Sequence, residues 1–274
     1  VLENGVIIRT AVNADSALPS DYGAITITGT SYGSGEALDF YGDTNTRRIV
    51  AGKGGVTLIG TVADQPVNGQ PGDEDAITIQ AAVIRSRGGA VSITGTGGNR
   101  GGNGVSIFDD SAIGDGKTTG VSITGIGRAD TAGGITIQSS AVASSGSITL
   151  VGESAGPTGL FLLDEPFGDP QLSISGEDVT LRGQSALRTG VDLYRLKNLN
   201  ATGDLLIQAE GGVAGDWARE SGVKIFETKA VVGGDMAISG VGDDYATGGD
   251  TGVFLEDSSF AVTGAVVIRG EVIR

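Results

Sequence analysis

Histidine and cysteine are both absent from this chain of 274 residues. Without histidine, the chain lacks the commonest general base and the commonest ligand of transition metals. Without cysteine, it has no disulfides, no zinc–thiolate sites and no cysteine nucleophile. No apolar run reaches the ~18 residues that a membrane-spanning helix needs, so no such helix is predicted. Many catalytic and metal-binding arrangements are therefore excluded.

Proline and aromatic residues are scarce, with 6 prolines and 5% aromatics, whereas glycine occurs 49 times. The core must then come from Val, Ile, Leu and Ala, which suit pleated strands and narrow stacks. Hydrophobic residues make up 39% and charged residues 19%, which is too apolar and too weakly charged for a disordered chain. The net charge of −15 disfavours nucleic acid and anionic membranes, and favours solubility, cations or a basic partner.

One short string, a small residue followed by apolar–any–apolar, recurs nine times at an average spacing of about 31 residues. We call this string strand A. Its copies have their first apolar residue at Val6, Leu38, Ile77, Val105, Ile135, Leu160, Val191, Val223 and Val253. Such a fixed period indicates a repeat architecture in which each unit buries its apolar face against its neighbours.

A second alternating string, strand B, follows each strand A by about half a period. Its copies are Ile25–Ile27, Val56–Leu58, Val91–Ile93, Val121–Ile123, Ile148–Leu150, Leu172–Ile174, Leu205–Ile207, Met236–Ile238 and Val266–Ile268. Small apolar pairs such as Ala112-Ile113 lie between A and B and predict a third short strand or a corner. We interpret Asp178–Gly183 as an extra strand in one return loop, and Gln184–Arg188 as the one candidate for a helix.

The sequence therefore predicts an all-β fold, a right-handed parallel β-helix (β-solenoid) of about nine rungs of roughly 31 residues. Strands of four or five residues cannot bury a face alone, but stacked copies of strand A and of strand B each make a parallel sheet. We expect residues 1–274 to form a single solenoid domain. Both ends read as strand rather than cap, so we expect more solenoid or another subunit to continue one or both ends.

The repeat resembles a known family. The segments Gly104–Gly125, Gly222–Gly240 and Gly252–Gly270 share the order Gly-Val-x-Ile or Leu, a small apolar pair, and apolar-x-Ile-x-Gly. This order is similar to repeat regions of large bacterial secreted and surface proteins of the filamentous-haemagglutinin type. The resemblance implies a right-handed β-helical fibre, export, and roles in adhesion, aggregation or a surface layer. It implies no catalytic residues.

Acidic residues beside glycine are candidate calcium ligands, because clustered carboxylate oxygens suit this hard cation. The candidates are Asp73, Glu74, Asp75, Asp109, Asp110, Asp243 and Asp244. The calcium-binding repeat of β-rolls and the EF-hand loop are both missing. The alternative is that these residues form solvated turns, where aspartate bonds to the local backbone.

An enzyme that cleaves polysaccharides is the main alternative function, since such enzymes also use β-helices and paired carboxylates. Asp109 and Asp110 follow a strand A and are the carboxylates best placed to face a surface groove. The acidic residues are otherwise scattered along the rungs, so we expect the chain not to be an enzyme and assign it no catalytic residue or cofactor.

Hydroxyl side chains are predicted to stack on the outer face of the strand B sheet. The ladder consists of Thr26, Thr57, Ser92, Ser122, Thr149 and Ser173, and beside it lie Thr28, Thr94, Thr124 and Ser175. Flat threonine arrays can bind ice, which makes ice binding a second alternative. In later rungs Leu206, Ala237 and Val267 replace the hydroxyls, so Leu206 and Val267 are candidates for an apolar partner contact.

Long loops follow several copies of strand B and are expected to emerge on one side of the rod. Trp217 and Tyr245 lie in two of these loops and are further candidates for contact with a sugar or a protein.

Taken together, these patterns predict an extracellular or cell-surface structural and adhesive rod. Its expected partners are itself, head to tail, or continuing solenoid of the same polypeptide, together with a surface glycan or protein. Nucleic acid and a membrane span are not expected.

Overall fold

The computed structural model describes residues 7–9, 23–32, 35–41, 48–63, 74–165, 172–212, 221–243 and 251–273. These residues form strands and turns, and no helix occurs among them. The strands are β1 Ile7–Arg9, β2 Ile25–Ser31, β3 Leu38–Tyr41, β4 Arg48–Ala51, β5 Val56–Val62, β6 Ile77–Gln80, β7 Val83–Ser86, β8 Ala90–Thr96, β9 Val105–Phe108, β10 Ala112–Gly114, β11 Gly120–Gly127, β12 Ile135–Gln138, β13 Ala141–Ala143, β14 Ser147–Ser154, β15 Thr158–Leu163, β16 Ser173–Gly176, β17 Val179–Ser185, β18 Thr189–Tyr194, β19 Asn198–Ala201, β20 Leu205–Glu210, β21 Ser221–Phe226, β22 Lys229–Val232, β23 Met236–Asp243, β24 Thr251–Glu256, β25 Ser259–Val262 and β26 Val266–Ile273.

These strands stack into three parallel sheets, as a β-solenoid requires. Sheet A holds the strand A strings in the order β3-β6-β9-β12-β15-β18-β21-β24. Sheet B holds the strand B strings in the order β2-β5-β8-β11-β14-β17-β20-β23-β26. A third sheet, the corner sheet, has the order β1-β4-β7-β10-β13-β16-β19-β22-β25 and accounts for the small apolar pairs. The predicted parallel solenoid is confirmed.

The count of rungs differs slightly from the prediction of nine. Sheet B and the corner sheet each have nine strands and sheet A has eight. Within the described residues, eight rungs therefore contain all three strands, and the first contains only β1 and β2. About seven full turns of the chain lead from β3, the first strand of sheet A, to β24, its last strand.

The first predicted copy of strand A is wrong. Ile7 and Ile8 lie in β1, which pairs with β4 of the corner sheet in the register Ile8↔Ile49. Two adjacent apolar residues are compatible with both strand A and the corner strand. The local sequence therefore does not determine which sheet they join, and pairing with the next rung does. The neighbouring pair Ala11-Val12, predicted as the corner, lies outside the described residues.

The predicted irregular rung is also wrong. The segment assigned to strand B, Leu172–Ile174, runs into β16 of the corner sheet, where Ile174 pairs with Leu199. The segment taken as an extra strand forms β17, an ordinary member of sheet B, in the register Val179↔Leu205. The helix candidate Gln184–Arg188 begins inside β17 and continues as a turn.

The core is a column of aliphatic side chains from all three sheets. In sheet B, the first and third residues of each string face inward, as shown by Val121 and Ile123, which are 2% and 0% exposed. Corner residues such as Ile113 and Val142 close the third side and are fully buried. Burying each such side chain contributes about 1.5–3 kcal/mol. The same three inward columns continue along the described rungs, so the core is uniform.

Glycine ends the strand B string because the two main sheets nearly touch there. A Cβ on Gly95 would lie 1.9 Å from the carbonyl oxygen of Gly104, and one on Gly125 would lie 2.1 Å from that of Gly134. Both oxygens belong to the chain that enters the next strand of sheet A. The glycine that ends the strand B string is therefore a packing requirement between sheets A and B.

Hydroxyl groups hold the corner that leads into sheet B. Ser86 Oγ donates to the carbonyl oxygen of Gly52 at 2.6 Å, and Thr118 Oγ1 donates to that of Ser86 at 2.9 Å. Ser144 Oγ then donates to the carbonyl oxygen of Thr118 at 3.0 Å. Each rung is thus tied to the one before it, and buried carbonyls that the sheets leave unpaired are satisfied.

Candidate binding surfaces

Two of the predicted acidic residues meet a third carboxylate that the sequence analysis did not single out. Glu74 and Asp75 lie just before β6, and Glu36 lies just before β3 in the preceding rung. Burial, followed by the nearby charge of Glu36 and a hydrogen bond to its carboxyl group, raises the pKa of Glu74. These two carboxyl groups therefore lie close together, one rung apart, at the start of sheet A.

Asp75 is part of a hydrogen-bonded network at the start of sheet A. Its Oδ1 accepts from the backbone N–H of Asn103 at 2.5 Å. The Asn103 side chain donates to Ser106 Oγ at 2.9 Å and accepts from the N–H of Gly133 at 2.6 Å. Burial raises the pKa of Asp75, although hydrogen bonds from Ser106 and Asn103 oppose the shift. The network joins three rungs, so it holds the chain at this corner.

The remaining calcium candidates are dispersed. Asp109 and Asp110 are exposed in the left-handed region, with φ of 46° and 63°, and Asp109 accepts a hydrogen bond from the Gln80 amide. Asp243 ends β23, its side chain is not described, and both Asp73 and Asp244 lie outside the described residues. Across the described ranges, no group of three or more acidic side chains is arranged to hold a metal ion. Asp109 and Asp110 occupy a corner turn.

The outer face of sheet B carries the hydroxyl ladder in a corrected form. Ser173 lies in the corner sheet, and Thr180 takes its place in the register Thr149↔Thr180. Two further outward columns run beside the ladder. Over the first four rungs the three columns are Thr26, Thr57, Ser92 and Ser122; Thr28, Ile59, Thr94 and Thr124; and Thr30, Thr61, Thr96 and Ile126. This uncharged region, which we call the hydroxyl array, has neighbouring positions about 4.8 Å apart between rungs and about 6.7 Å apart along a strand.

The same three columns change character from β14 onward. The first becomes apolar at Leu206, Ala237 and Val267, as the sequence indicated. The second and third columns gain charged and amide side chains. They read Val151, Arg182, Gln208, Ser239 and Arg269, and Glu153, Gln184, Glu210, Val241 and Glu271.

Two adjoining depressions lie over this charged region. One, of about 400 Å³, is lined by residues of β14, β17, β20 and β23, including Arg182 and Gln208. The other, of about 410 Å³, lies between sheet B and the turns that lead to sheet A, and is lined by Asn99 and Arg128 among others. Both include Glu153 and Gln184, so together they form one groove along the rod.

Of the predicted partner-contact residues, the structure describes Leu206 and Val267, which belong to one outward column with Ala237 between them. Leu206 is half-buried and Val267 is 43% exposed, and they are two rungs apart in the same column. Trp217 and Tyr245 lie outside the described residues. The loops that contain them connect β20 to β21 and β23 to β24, at the corner where sheet B leads to sheet A.

Sheet A carries an aromatic cluster on its outer face that the sequence analysis missed. The rings of Tyr194 and Phe226 stack with centroids 4.9 Å apart, and the Arg195 guanidinium lies 5.0 Å from the Tyr194 centroid. Beside them, Asp192 Oδ2 pairs with Lys224 Nζ at 3.6 Å. Burial raises the pKa of Asp192, and Lys224 opposes the shift. In the sequence, the cluster is visible only as an aromatic residue at the same outward position of two successive copies of strand A. A single copy does not indicate that the rings stack.

The last rung leaves its inward face open. Val266 and Ile268 of β26 are 52% and 46% exposed. Their counterparts one rung earlier, Met236 and Ile238, are 2% and 1% exposed. An open rung also exposes a row of unpaired backbone groups along the edge of each sheet.

Comparisons with known proteins return no family model, no curated protein and no solved structure that matches this chain. No helix able to cross a bilayer occurs in the part of the chain that the structure describes.

Proposed function

We propose that the chain is an extracellular structural and adhesive rod, which forms or belongs to a fibre by end-to-end stacking of solenoid rungs. The observation that carries the proposal is the continuous parallel register of all three sheets, which is kept up to the last described rung, β24 to β26. The inward-facing side chains of β26 repeat the core pattern of the rung before it, yet they are about half exposed. A further rung of the same kind would bury them and pair the open edges of all three sheets.

The energetics favour such stacking. Burying an aliphatic side chain of this size contributes about 1.5–3 kcal/mol, and β24, β25 and β26 would each gain a parallel neighbour. The covering rung belongs either to the same polypeptide or to a second copy. In the second case the contact is head to tail, and since such a contact does not close on itself it produces an open fibre.

The surface role is supported by two features. The resemblance of Gly222–Gly240 and Gly252–Gly270 to repeats of bacterial surface proteins implies export and adhesion. In addition, the regular rungs present long lateral faces whose outward residues change from rung to rung while the core stays constant. A rod of this kind displays varied contact surfaces at fixed spacing.

Sedimentation velocity and negative-stain electron microscopy of the chain over a range of concentrations test the stacking. We expect rods that lengthen with concentration. Ile268→Asp places a charge on the open core and should abolish lengthening, whereas the matched variant Val267→Asp changes the outward neighbour on the same strand and should not. A stable monomer at all concentrations, or equal effects of the two variants, would contradict end-to-end stacking.

Ice binding is a second candidate function, favoured specifically by the hydroxyl array. Ten of its twelve positions are Ser or Thr and none is charged. Thermal hysteresis measurements test it. Activity should be lost in Thr94→Leu, at the centre of the array, and kept in Ser239→Leu, at the equivalent column of a later rung. Absence of hysteresis in the wild type, or loss in both variants, excludes the array as an ice-binding surface.

A further inference from the structure

The groove on the outer face of sheet B is long, shallow and parallel to the rod axis. It extends from the rung of β11 to the rung of β23, through Ile126, Glu153, Gln184, Glu210 and Val241 in one column. Four rung spacings of about 4.8 Å give a length of about 19 Å. Sites for small molecules enclose most of the ligand, whereas this groove is open along its length. Its shape suits a chain-like ligand that lies along the rod.

The chemistry of the lining is that of hydroxyl recognition. Gln184, Gln208 and Asn99 have side-chain amides that both donate and accept hydrogen bonds. Glutamates supply acceptors and arginines supply donors. A polyhydroxylated ligand needs both kinds of partner at each unit, and the groove offers both at successive rungs.

The charges of the groove are balanced. The lining contains two glutamates, Glu153 and Glu210, and two arginines, Arg182 and Arg128, while the whole chain carries −15. A polyanion would meet no local excess of positive charge and would be repelled by the protein as a whole. A polycation would be attracted by the chain as a whole, but it would meet no local excess of negative charge, because two arginines offset the two glutamates. The ligand that matches the lining itself is electrically neutral.

We propose that this groove binds an extended neutral glycan, with about one sugar unit over each rung. A monosaccharide unit is about as long as one rung spacing, so the rung repeat and the sugar repeat stay in step over the length of the groove. This assignment rests on the proposed adhesive function and identifies its ligand. The assignment also gives the two ends of sheet B different binding properties, because the hydroxyl array lacks the charged and amide groups that line the groove.

The test uses the full chain and neutral oligosaccharides of defined length as probes. Saturation-transfer NMR and titration calorimetry are run with β-linked glucan, mannan and xylan oligomers from two to eight units. Matched uronic-acid oligomers serve as anionic probes. We expect at least one neutral series to bind, with affinity that rises up to about four or five units, which fill the groove, and then levels off. Added salt should change the affinity little, because no ion pair with the ligand is involved.

Gln184→Ala combined with Gln208→Ala removes two exposed amides from the centre of the groove and should weaken binding at least tenfold. Thr26→Ala combined with Thr28→Ala alters the same sheet outside the groove and should leave binding unchanged. Equal thermal unfolding midpoints for both double variants show that the fold is kept.

Three results would overturn the assignment: no neutral oligomer binds at millimolar concentration, only the anionic probes bind, or the groove variant binds as well as the wild type. Cleavage of a bound probe would support the groove as the glycan site but contradict the passive adhesive function. The sedimentation and microscopy experiment does not depend on glycan, so failure of the rod proposal and failure of the groove assignment are distinguishable.

Discussion

The two halves of sheet B share one interior but differ in their outer surfaces. From β2 to β11 the outward positions are mostly hydroxyl and uncharged, and from β14 to β26 most of them are charged, amide-bearing or apolar. The inward positions stay aliphatic throughout, with glycine next to sheet A in all rungs but one. The comparison shows that stacking constrains what faces inward and leaves the outer columns free to carry separate functions.

The largest expected effect is on the free energy of unfolding, when the same substitution is made in a middle rung and in the last rung. Ile123→Ala creates a cavity in a fully buried position and should reduce the free energy of unfolding by about 2–5 kcal/mol. Ile268→Ala, at the corresponding position of the last rung, should cost less than about 1 kcal/mol in dilute solution, because that side chain is already half exposed. Urea unfolding of both variants checks the difference. Equal losses would mean that the last rung is covered even in the monomer.

The next effect tests the contact between sheets A and B in each half. Gly95→Ala puts a methyl group against the Gly104 carbonyl oxygen and should cost about 3 kcal/mol, at the upper end of the usual overpacking range. Ala209 occupies the same column in a later rung, so Ala209→Gly should cost only about 0.5–1 kcal/mol. Thermal unfolding of the pair measures both. A mild effect of Gly95→Ala would contradict the close approach of the two sheets.

A smaller effect concerns an aspartate stack that occurs only in the later half. Asp178, Asp204 and Asp235 each accept a hydrogen bond, at 2.7–2.9 Å, from the backbone N–H of the equivalent residue one rung later. Asp204→Ala removes one such acceptor at an exposed position and should cost about 1 kcal/mol. Asp130→Ala, at an exposed position in a turn, is the control and should stay within about 0.5 kcal/mol. If both variants lose the same stability, the stack contributes nothing.

The smallest expected effect is a dependence of the unfolding free energy on pH, caused by Asp75 in the earlier half of the solenoid. Burial raises the folded-state pKa of Asp75 above its ordinary value of 3.8, so the native state holds the proton more tightly than the unfolded chain. The stability from this proton is fully present below the unfolded pKa and is lost as pH rises through the folded pKa. Unfolding free energy should therefore fall as pH rises through that window. The slope should be shallower in Asp75→Asn and unchanged in the control Asp130→Asn.

Glu74 acts in the same direction, because its pKa is raised as well. The slope should accordingly be reduced, and not abolished, in Asp75→Asn. Identical pH profiles for the wild type and Asp75→Asn would contradict the raised pKa of this side chain.

The repeat itself was readable from sequence because its physical causes are local. Alternation at Val121 and Ile123 specifies one buried face, and glycine after the strand reports a neighbour too close for a Cβ. Each signal recurs once per rung, so errors in one copy are corrected by the others. The parallel solenoid follows from these two patterns.

The assignments that failed were those in which one rung had to be interpreted alone. Ile7-Ile8 and Leu172–Ile174 are apolar enough for either string, and only the register with the neighbouring rung puts them in the corner sheet. Because Leu172–Ile174 was assigned to strand B, the true strand B of that rung, β17, was interpreted as an inserted strand.

The candidate binding surfaces could be predicted only in part, because they depend on register between rungs. The hydroxyl ladder and the second column at Thr28, Thr94 and Thr124 were visible in sequence, but the third column was not. Ser175, expected beside the ladder, lies with Ser173 in the corner sheet. The groove needs Glu153, Gln184 and Glu210 to fall in one column, although they are about 30 residues apart in the chain. Glu36 likewise meets Glu74 only after one full turn of the solenoid.

Hydrogen exchange at the last rung tests the central claim, end-to-end stacking, most directly. In parallel sheets about half of the amides of an edge strand point away from the only neighbour. We predict that these amides in β26 exchange rapidly in dilute solution and become protected, as those of β23 are, when the chain assembles at high concentration. Equal and rapid exchange of β26 at all concentrations, with β23 protected throughout, would contradict the claim.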